Sequence, residues 1–148
     1  MDRRTALAGV GSLALAFLGG TASAQTATPS HDHQHMHGNP QQALIDATAD
    51  CISKGQACLA HCIVLLSSGD KAMAACAKTV NQMLALCGAL QNLANQQSSL
   101  VTPLAKVTLE ACQACESECR KHEKVHAECK ACAESCAACI TACKAALC

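Results

Sequence analysis

Residues 129–143 read CKACAESCAACITAC, which places cysteine at positions 129, 132, 136, 139 and 143. The steps of three and four residues are those of the seam of a bundle helix, which leucine and isoleucine normally fill. The residues between the cysteines are mostly helix formers, with neither glycine nor proline among them. The stretch therefore predicts a helix that points a column of thiols at its neighbours.

The composition of the whole chain is consistent with a small all-α protein. It has 148 residues, 14 cysteines and a single aromatic residue, Phe17. This length predicts one domain. The 11 basic and 11 acidic residues balance, so no basic surface indicates a nucleic-acid partner. The core must then be filled by aliphatic side chains and cysteine.

The N-terminus predicts a signal peptide over residues 1–24. Arg3 and Arg4 precede a weakly apolar run over residues 6–18, and Ala22-Ser23-Ala24 supplies the small residues that a signal peptidase needs. The run is too short to span a membrane, so we expect no membrane contact in the mature protein. The paired arginines favour twin-arginine export of a folded protein to the periplasm over an ordinary secretory signal.

Residues 25–38 are predicted to form a flexible linker. The run from His31 to His37 makes this linker rich in histidine. Such tracts either bind metal or serve as solvated spacers, and both interpretations stay open.

Residues 39–148 are predicted to form four helices with short connections. The first helix is predicted to start at Asn39-Pro40, with Asn39 as cap, and to stop at Ser67-Ser68-Gly69. Asp70 caps the second helix, which ends in the polar stretch over 95–99. The third helix starts at Thr102-Pro103. The fourth helix begins between Lys121 and Cys129, where no glycine or proline marks a turn. Four amphipathic segments of this kind predict an antiparallel four-helix bundle.

Thirteen of the 14 cysteines fall on the predicted seams, so the core is expected to be lined with cysteine. They are Cys51, Cys58, Cys62, Cys76, Cys87, Cys112, Cys115, Cys119, Cys129, Cys132, Cys136, Cys139 and Cys143. Only Cys148, at the C-terminus, lies off a seam. A second stripe on the first helix, Ile45, Ile52, Leu59 and Leu66, is interpreted either as flank packing or as a subunit interface.

A disulfide framework is the usual interpretation of an exported cysteine-rich chain. Pairs such as Cys58/Cys62 lie four residues apart on one helix face, where Cβ atoms are about 5–6 Å apart. A disulfide needs a Cβ separation of roughly 3.5–4.5 Å. Bridges between helices remain possible, and Cys119 and Cys129 have the spacing of disulfide-linked helical hairpins. A redox or structural disulfide protein therefore stays an alternative.

Soft metal is the other explanation for a column of thiols. Structural zinc needs closed tetrahedra, and iron–sulfur motifs normally lie on loops that wrap the cluster. Cu(I) is selected by thiolates and accepts low coordination numbers. Two thiolates four residues apart can flank one ion with bonds of roughly 2.3 Å. Bridging thiolates would allow about 14 ions per chain, one for each cysteine.

One competing motif is the run from His122 to His126, which matches the H-E-x-x-H pattern of helical zinc hydrolases. In such an enzyme His122 and His126 would bind zinc and Glu123 would act as general base. The run falls where the third helix must turn into the fourth, which would spoil the geometry of the motif. We expect these histidines at the mouth of the bundle instead, as surface residues or auxiliary ligands.

Over residues 39–148 the chain resembles the exported branch of the copper storage proteins, which are cysteine-rich four-helix bundles. The resemblance is carried by Cys58-Leu59-Ala60-His61-Cys62, by the run from Cys112 to Glu123, and by His126-Ala127-Glu128-Cys129 with Cys132, Cys136 and Cys139. It implies many Cu(I) ions held by cysteines on all four helices, a tetramer, and copper held for a copper enzyme rather than a catalytic cycle.

The resemblance also implies a role for methionine and histidine near one end of the bundle. In exported relatives such residues add copper sites and a route by which copper enters. The further candidate ligands are Cys148, His122, His126, Met73, Met83, Met36 and the histidine tract. Met73 and Met83 lie on a seam, where filling gaps in the core is the ordinary role of methionine. His61 lies off the seam, so we expect it at the surface.

Overall fold

The structure, a computed structural model, describes residues 39–148 as a set of helices without strands. They are α1 (Gln42–Ser67), a single 3₁₀ turn (Lys71–Met73), α2 (Ala74–Asn95), α3 (Val101–His122) and α4 (Ala127–Ala145). The predicted signal peptide over 1–24 and the linker over 25–38, with Met36 and the histidine tract, lie outside the described residues.

The four helices form one antiparallel bundle, as predicted. α1 packs against α2 and α4, and α3 packs against the same two helices. Because each connection is short and reverses the chain direction, the seams of all four helices face one central core. The predicted fold class is therefore confirmed.

The stop after α1 is a Schellman motif, the helix end that glycine favours. Gly69 has a φ of +97°, which glycine adopts without strain. The Gly69 N–H donates to the Leu66 carbonyl at 3.0 Å, and the Asp70 N–H donates to the Leu65 carbonyl at 3.0 Å. The Asp70 carboxylate then accepts from the Ala72 N–H at 3.0 Å and so caps the 3₁₀ turn that leads into α2.

The two predicted Pro-containing starts are displaced from the observed ones. α1 begins at Gln42, because Asn39 and Pro40 form a turn in which the Asn39 Oδ1 accepts from the Gln41 N–H at 2.9 Å. α3 begins at Val101, with Leu100 rather than Thr102 at the N-cap. Proline is tolerated throughout a first helical turn, where its missing N–H has no partner in any case.

The turn between α3 and α4 occupies residues 123–126, within the predicted interval. The His126 N–H donates to the His122 carbonyl at 2.9 Å, and His126 then turns to an extended backbone at the N-cap of α4. This turn separates His122 from His126 on two different helices.

The core has two chemically different ends. At the start of α1 and the end of α2 it is closed by buried apolar residues, namely Leu44, Leu90, Ala94, Val101 and Ala105. We call this the closed end. The opposite end, which we call the histidine end, carries His61, His122 and His126 where α1 and α3 finish and α4 begins. Cysteine predominates in the core between the two.

The second stripe of α1 contributes to the bundle itself. Ile45 is buried, and Ile52, Leu59 and Leu66 pack partly buried against the core. Flank packing thus accounts for the stripe, and a role between subunits stays a prediction.

By length and composition α1 is also apolar enough to cross a membrane. The core helix of a bundle passes the same test of length and composition, and α1 has the buried seam of such a helix.

Candidate metal centre

Thirteen thiols are fully buried in the core, each with 0% of its surface exposed. They are the thirteen cysteines that the helical spacing placed on the seams: Cys51, Cys58, Cys62, Cys76, Cys87, Cys112, Cys115, Cys119, Cys129, Cys132, Cys136, Cys139 and Cys143. Cys148 is exposed, with its thiol 3.6 Å from the Lys144 carbonyl. The predicted positions are confirmed, whereas their role as ligands stays a prediction.

These thiols contact one another without bonding. All 14 cysteines lie among the described residues and all are free. The thiol–thiol contacts run from 3.5 Å for Cys76 and Cys119 to 4.0 Å for Cys115 and Cys119, whereas a disulfide bond is about 2.05 Å long. Cys119 and Cys129 each contact Cys58, at 3.9 and 3.8 Å. No disulfide hairpin therefore joins α3 to α4.

Two groups of four thiols stand out, each with its sulfur atoms within 4.8 Å of one another. The deep group takes one thiol from each helix: Cys51, Cys87, Cys112 and Cys139. The mouth group, toward the histidine end, consists of Cys58, Cys62, Cys76 and Cys129. Both groups combine helices in a way that the sequence spacing alone did not indicate.

Shared thiols join the two groups into one column. Cys58 belongs to the mouth group and also to a set with Cys119 and Cys132, while Cys132 belongs to a further set with Cys115 and Cys136. The Cys136 sulfur lies 3.7 Å from that of Cys51 in the deep group. A three-coordinate metal with bonds of roughly 2.3 Å needs sulfur atoms about 4 Å apart, so the column is spaced for bridging by soft ions.

No buried charge balances these thiols within residues 39–148. The buried polar residues are Thr48, Thr108 and Ser135. Each hydroxyl donates to a carbonyl of its own helix, at 2.8 Å from Thr48 to Leu44, 2.9 Å from Thr108 to Leu104, and 2.9 Å from Ser135 to Cys132. A thiolate formed in this core can therefore be neutralised only by a proton or by a bound cation.

Burial keeps several of the thiols protonated at neutral pH. It raises the pKa of Cys62 to about 12 and that of Cys129 to about 11, with a further contribution from the nearby charge of Cys76. The neighbouring thiol of Cys139, together with burial, raises the pKa of Cys143 well above its ordinary range. A metal that binds these thiols must displace their protons.

Two histidines lie close in sequence to thiols of the mouth group, since His61 directly precedes Cys62 and His126 lies three residues before Cys129. The His61 Nε2 lies 3.0 Å from the His126 Nδ1, and the His61 Nδ1 lies 3.7 Å from a carboxylate oxygen of Glu128. All three residues are half-buried, and His61 lies off the seam as expected, at the rim of the bundle with 25% of its side chain exposed. Its place directly before Cys62, at the end of α1, is the sequence feature that indicates this position.

The H-E-x-x-H pattern does not build a hydrolase site. α3 ends at His122 while His126 caps α4, and their ring centroids are 6.4 Å apart. Glu123 accepts a hydrogen bond from Arg120 at 2.8 Å. Among the described residues, every set of three or more clustered metal-binding side chains consists of cysteine alone.

Both seam methionines are buried, Met73 with 1% and Met83 with 0% of its surface exposed. The Cys51 thiol donates to the Met83 thioether at 3.3 Å. Whether either methionine binds metal stays a prediction.

Comparison with known proteins agrees with this geometry. In Bacillus subtilis (strain 168), an uncharacterized cysteine-rich protein, YhjQ, is 26% identical over 103 residues, which cover 70% of this chain and 92% of that protein. The apo form of copper storage protein 3 from Bacillus subtilis matches with a TM-score of 0.64 and 25% identity, over 73% of this chain and 99% of the other. The Cu(I)-bound copper storage protein BsCsp3 matches with a TM-score of 0.67 and 25% identity, over 73% and 98%.

The family model described as copper storage protein matches residues 36–148, which include all four helices and every cysteine. This chain therefore belongs to the copper storage protein family.

Proposed function

We propose that this protein stores Cu(I) by binding many ions to the thiol column of its core. The observation that carries the proposal is a core with thirteen fully buried, unbonded thiols, twelve of them grouped into the column, and no buried cationic side chain. Cu(I) prefers thiolate ligands and accepts two or three of them. The protein holds these ions and passes them on, without a catalytic cycle of its own.

Charge balance favours Cu(I) over zinc in this core. One Cu(I) for each thiolate leaves no net charge, whereas Zn²⁺ with four thiolates leaves a buried charge of −2 at each closed site. Such a charge is costly in a core that offers no cationic side chain. The sharing of Cys58 between two thiol sets also favours Cu(I) over zinc. Two closed zinc tetrahedra would compete for this thiolate, whereas two copper ions can be bridged by it.

Titration of the reduced protein with Cu(I), in the presence of a competing chelator, tests the proposal. We expect about ten or more tightly bound ions per chain with little change in helical circular dichroism, because the helices pack without metal. Affinity should rise with pH, by up to about tenfold per unit for each proton displaced, since the raised pKa values of Cys62 and Cys129 keep both thiols protonated at pH 7. Uptake of one or two ions, or isolation with most thiols oxidised, would contradict storage.

We place copper access at the histidine end. The closed end carries buried apolar side chains such as Leu44, Leu90 and Val101, and the small cavity there is lined by apolar residues and Gln41, without cysteine or histidine. At the other end His61 and His126 offer half-buried imidazole nitrogens close in sequence to Cys62 and Cys129. Imidazole binds copper, so these side chains give an incoming ion its first protein ligands.

The double variant His61→Ala/His126→Ala should take up Cu(I) at least about tenfold more slowly, with unchanged capacity, because a pair of ligands is lost but no core thiol. Stopped-flow mixing with a Cu(I)–chelator complex measures the rate. His122→Ala removes the third histidine of this end and keeps the His61–His126 pair, so it shows whether that pair or any histidine of the end sets the rate. Equal rates in all three proteins would place access elsewhere.

We also propose that the leader over residues 1–24 directs twin-arginine export to the periplasm, where the mature chain forms a tetramer without membrane contact and supplies a copper enzyme. Support comes from Arg3 and Arg4 before a short apolar run. Exposed apolar residues on the bundle, Ile63 and Val64 among them, offer surface for association. Export in cells with and without the twin-arginine translocase, and sedimentation of the mature protein, test these two points.

A further inference from the structure

Between the deep group and the mouth group, α1 and α2 contribute no thiol to the core. The seam of α1 steps from Cys51 to Gly55 to Cys58, and that of α2 steps from Val80 to Met83 to Cys87. Gly55 and Met83 therefore face each other at the level where the two groups meet. The other two helices supply Cys115, Cys132 and Cys136 at this junction.

The Met83 thioether faces the thiol column. Its sulfur lies 3.3 Å from the Cys51 sulfur, closer than the thiol–thiol contacts, which begin at 3.5 Å. Cys51 in turn lies 3.7 Å from Cys136. All three side chains have 0% of their surface exposed. Three soft donors thus form a continuous dry contact across the junction.

Gly55 makes room for this arrangement. A Cβ at position 55 would lie 2.6 Å from the Met83 terminal methyl carbon and 2.9 Å from a methyl group of Leu84. Glycine is less favourable than alanine in a helix interior. A junction that needed only filling could combine alanine on α1 with leucine on α2. The glycine instead seats the long thioether side chain against Cys51.

We propose that Met83 is a Cu(I) ligand that acts with Cys51 to join the deep and mouth groups. This assignment rests on the proposed storage function. A thioether is a soft neutral donor, so one Cu(I) held by Met83 and the Cys51 thiolate carries no net charge at a level where α1 and α2 offer no other thiolate. The sulfur atoms must separate from 3.3 Å to about 4 Å for three-coordinate binding. The flexible methionine side chain allows this movement.

Selenium-edge X-ray absorption tests the assignment on mature Met36→Leu protein, whose remaining methionines Met73 and Met83 carry selenium, after loading with Cu(I). We expect a copper neighbour of selenium at about 2.4 Å, slightly longer than a metal–sulfur bond. Met83→Leu, which nearly conserves volume, should abolish this neighbour and weaken the binding of about one ion per chain, while the capacity that the thiolates set stays unchanged. Met73→Leu, at the other buried methionine, should retain both the neighbour and the binding.

The outcomes separate this assignment from the storage proposal. If the protein binds ten or more ions but shows no selenium–copper neighbour, or if Met83→Leu leaves that neighbour in place, the Met83 assignment is overturned and storage stands. If the protein takes up no Cu(I), both are overturned. Circular dichroism of the loaded variants checks that leucine at position 83 has not unfolded the bundle.

Discussion

Loading the reduced protein with Cu(I) is expected to raise its unfolding temperature by about 20 °C. A ligand present at a hundred times its dissociation constant stabilises the folded state by about 2.7 kcal/mol per site. Ten such sites would add about 27 kcal/mol to the free energy of unfolding. Binding of Cu(I) to thiols of the unfolded chain reduces this gain. If only a fifth survives, about 5 kcal/mol remains, which corresponds to about 20 °C at roughly 4 °C per kcal/mol for a domain of this size.

Circular dichroism at 222 nm, recorded during heating with and without copper, measures this shift. The metal-free protein should itself melt cooperatively from a helical state, because the closed end supplies an aliphatic core and the thiols are neutral when protonated. A metal-free protein without helical signal would show that metal makes the fold, as in zinc fingers. Equal melting temperatures in the two samples would contradict binding of copper in the core.

The period of the α-helix explains why so much of this fold could be predicted. Residues three and four positions apart share a helix face whatever the neighbouring helices do. Positions such as Cys58 and Cys62 could therefore be assigned to the core before any packing was known. The starts of α1 and α3 were predicted less accurately than their core positions, since Pro40 and Pro103 each fit several positions around a first turn.

The grouping of the thiols depends on information that no local pattern contains. Cys51 meets Cys136 across 85 residues of sequence, and that contact depends on how far one helix is shifted along its neighbour. Side-chain packing at points such as Gly55 and Met83 sets this shift. For the same reason the contact between His61 and His126 could not be predicted, because the two residues lie on different helices.

Removing four thiols at once should lower the copper capacity by about four ions if each thiolate accounts for one ion. The deep group can be removed as Cys51→Ala/Cys87→Ala/Cys112→Ala/Cys139→Ala, and the mouth group as Cys58→Ala/Cys62→Ala/Cys76→Ala/Cys129→Ala. Alanine keeps helix propensity and leaves no polar group unpaired. Titration with Cu(I) against a chelator measures the capacity of each variant, and circular dichroism checks its fold.

The number of ions lost decides how the column binds metal. A loss of about four per quadruple variant means bridged Cu(I) at one ion for each thiolate, whereas a loss of one means a closed tetrahedral site of the zinc type. Cys148→Ala is the matched control and should lose no core ion, because that thiol is exposed. Only the mouth-group variant should also take up copper more slowly, since its thiols adjoin His61 and His126 while the deep group lies beyond them. Equal slowing in both quadruple variants would show that copper does not enter from the histidine end.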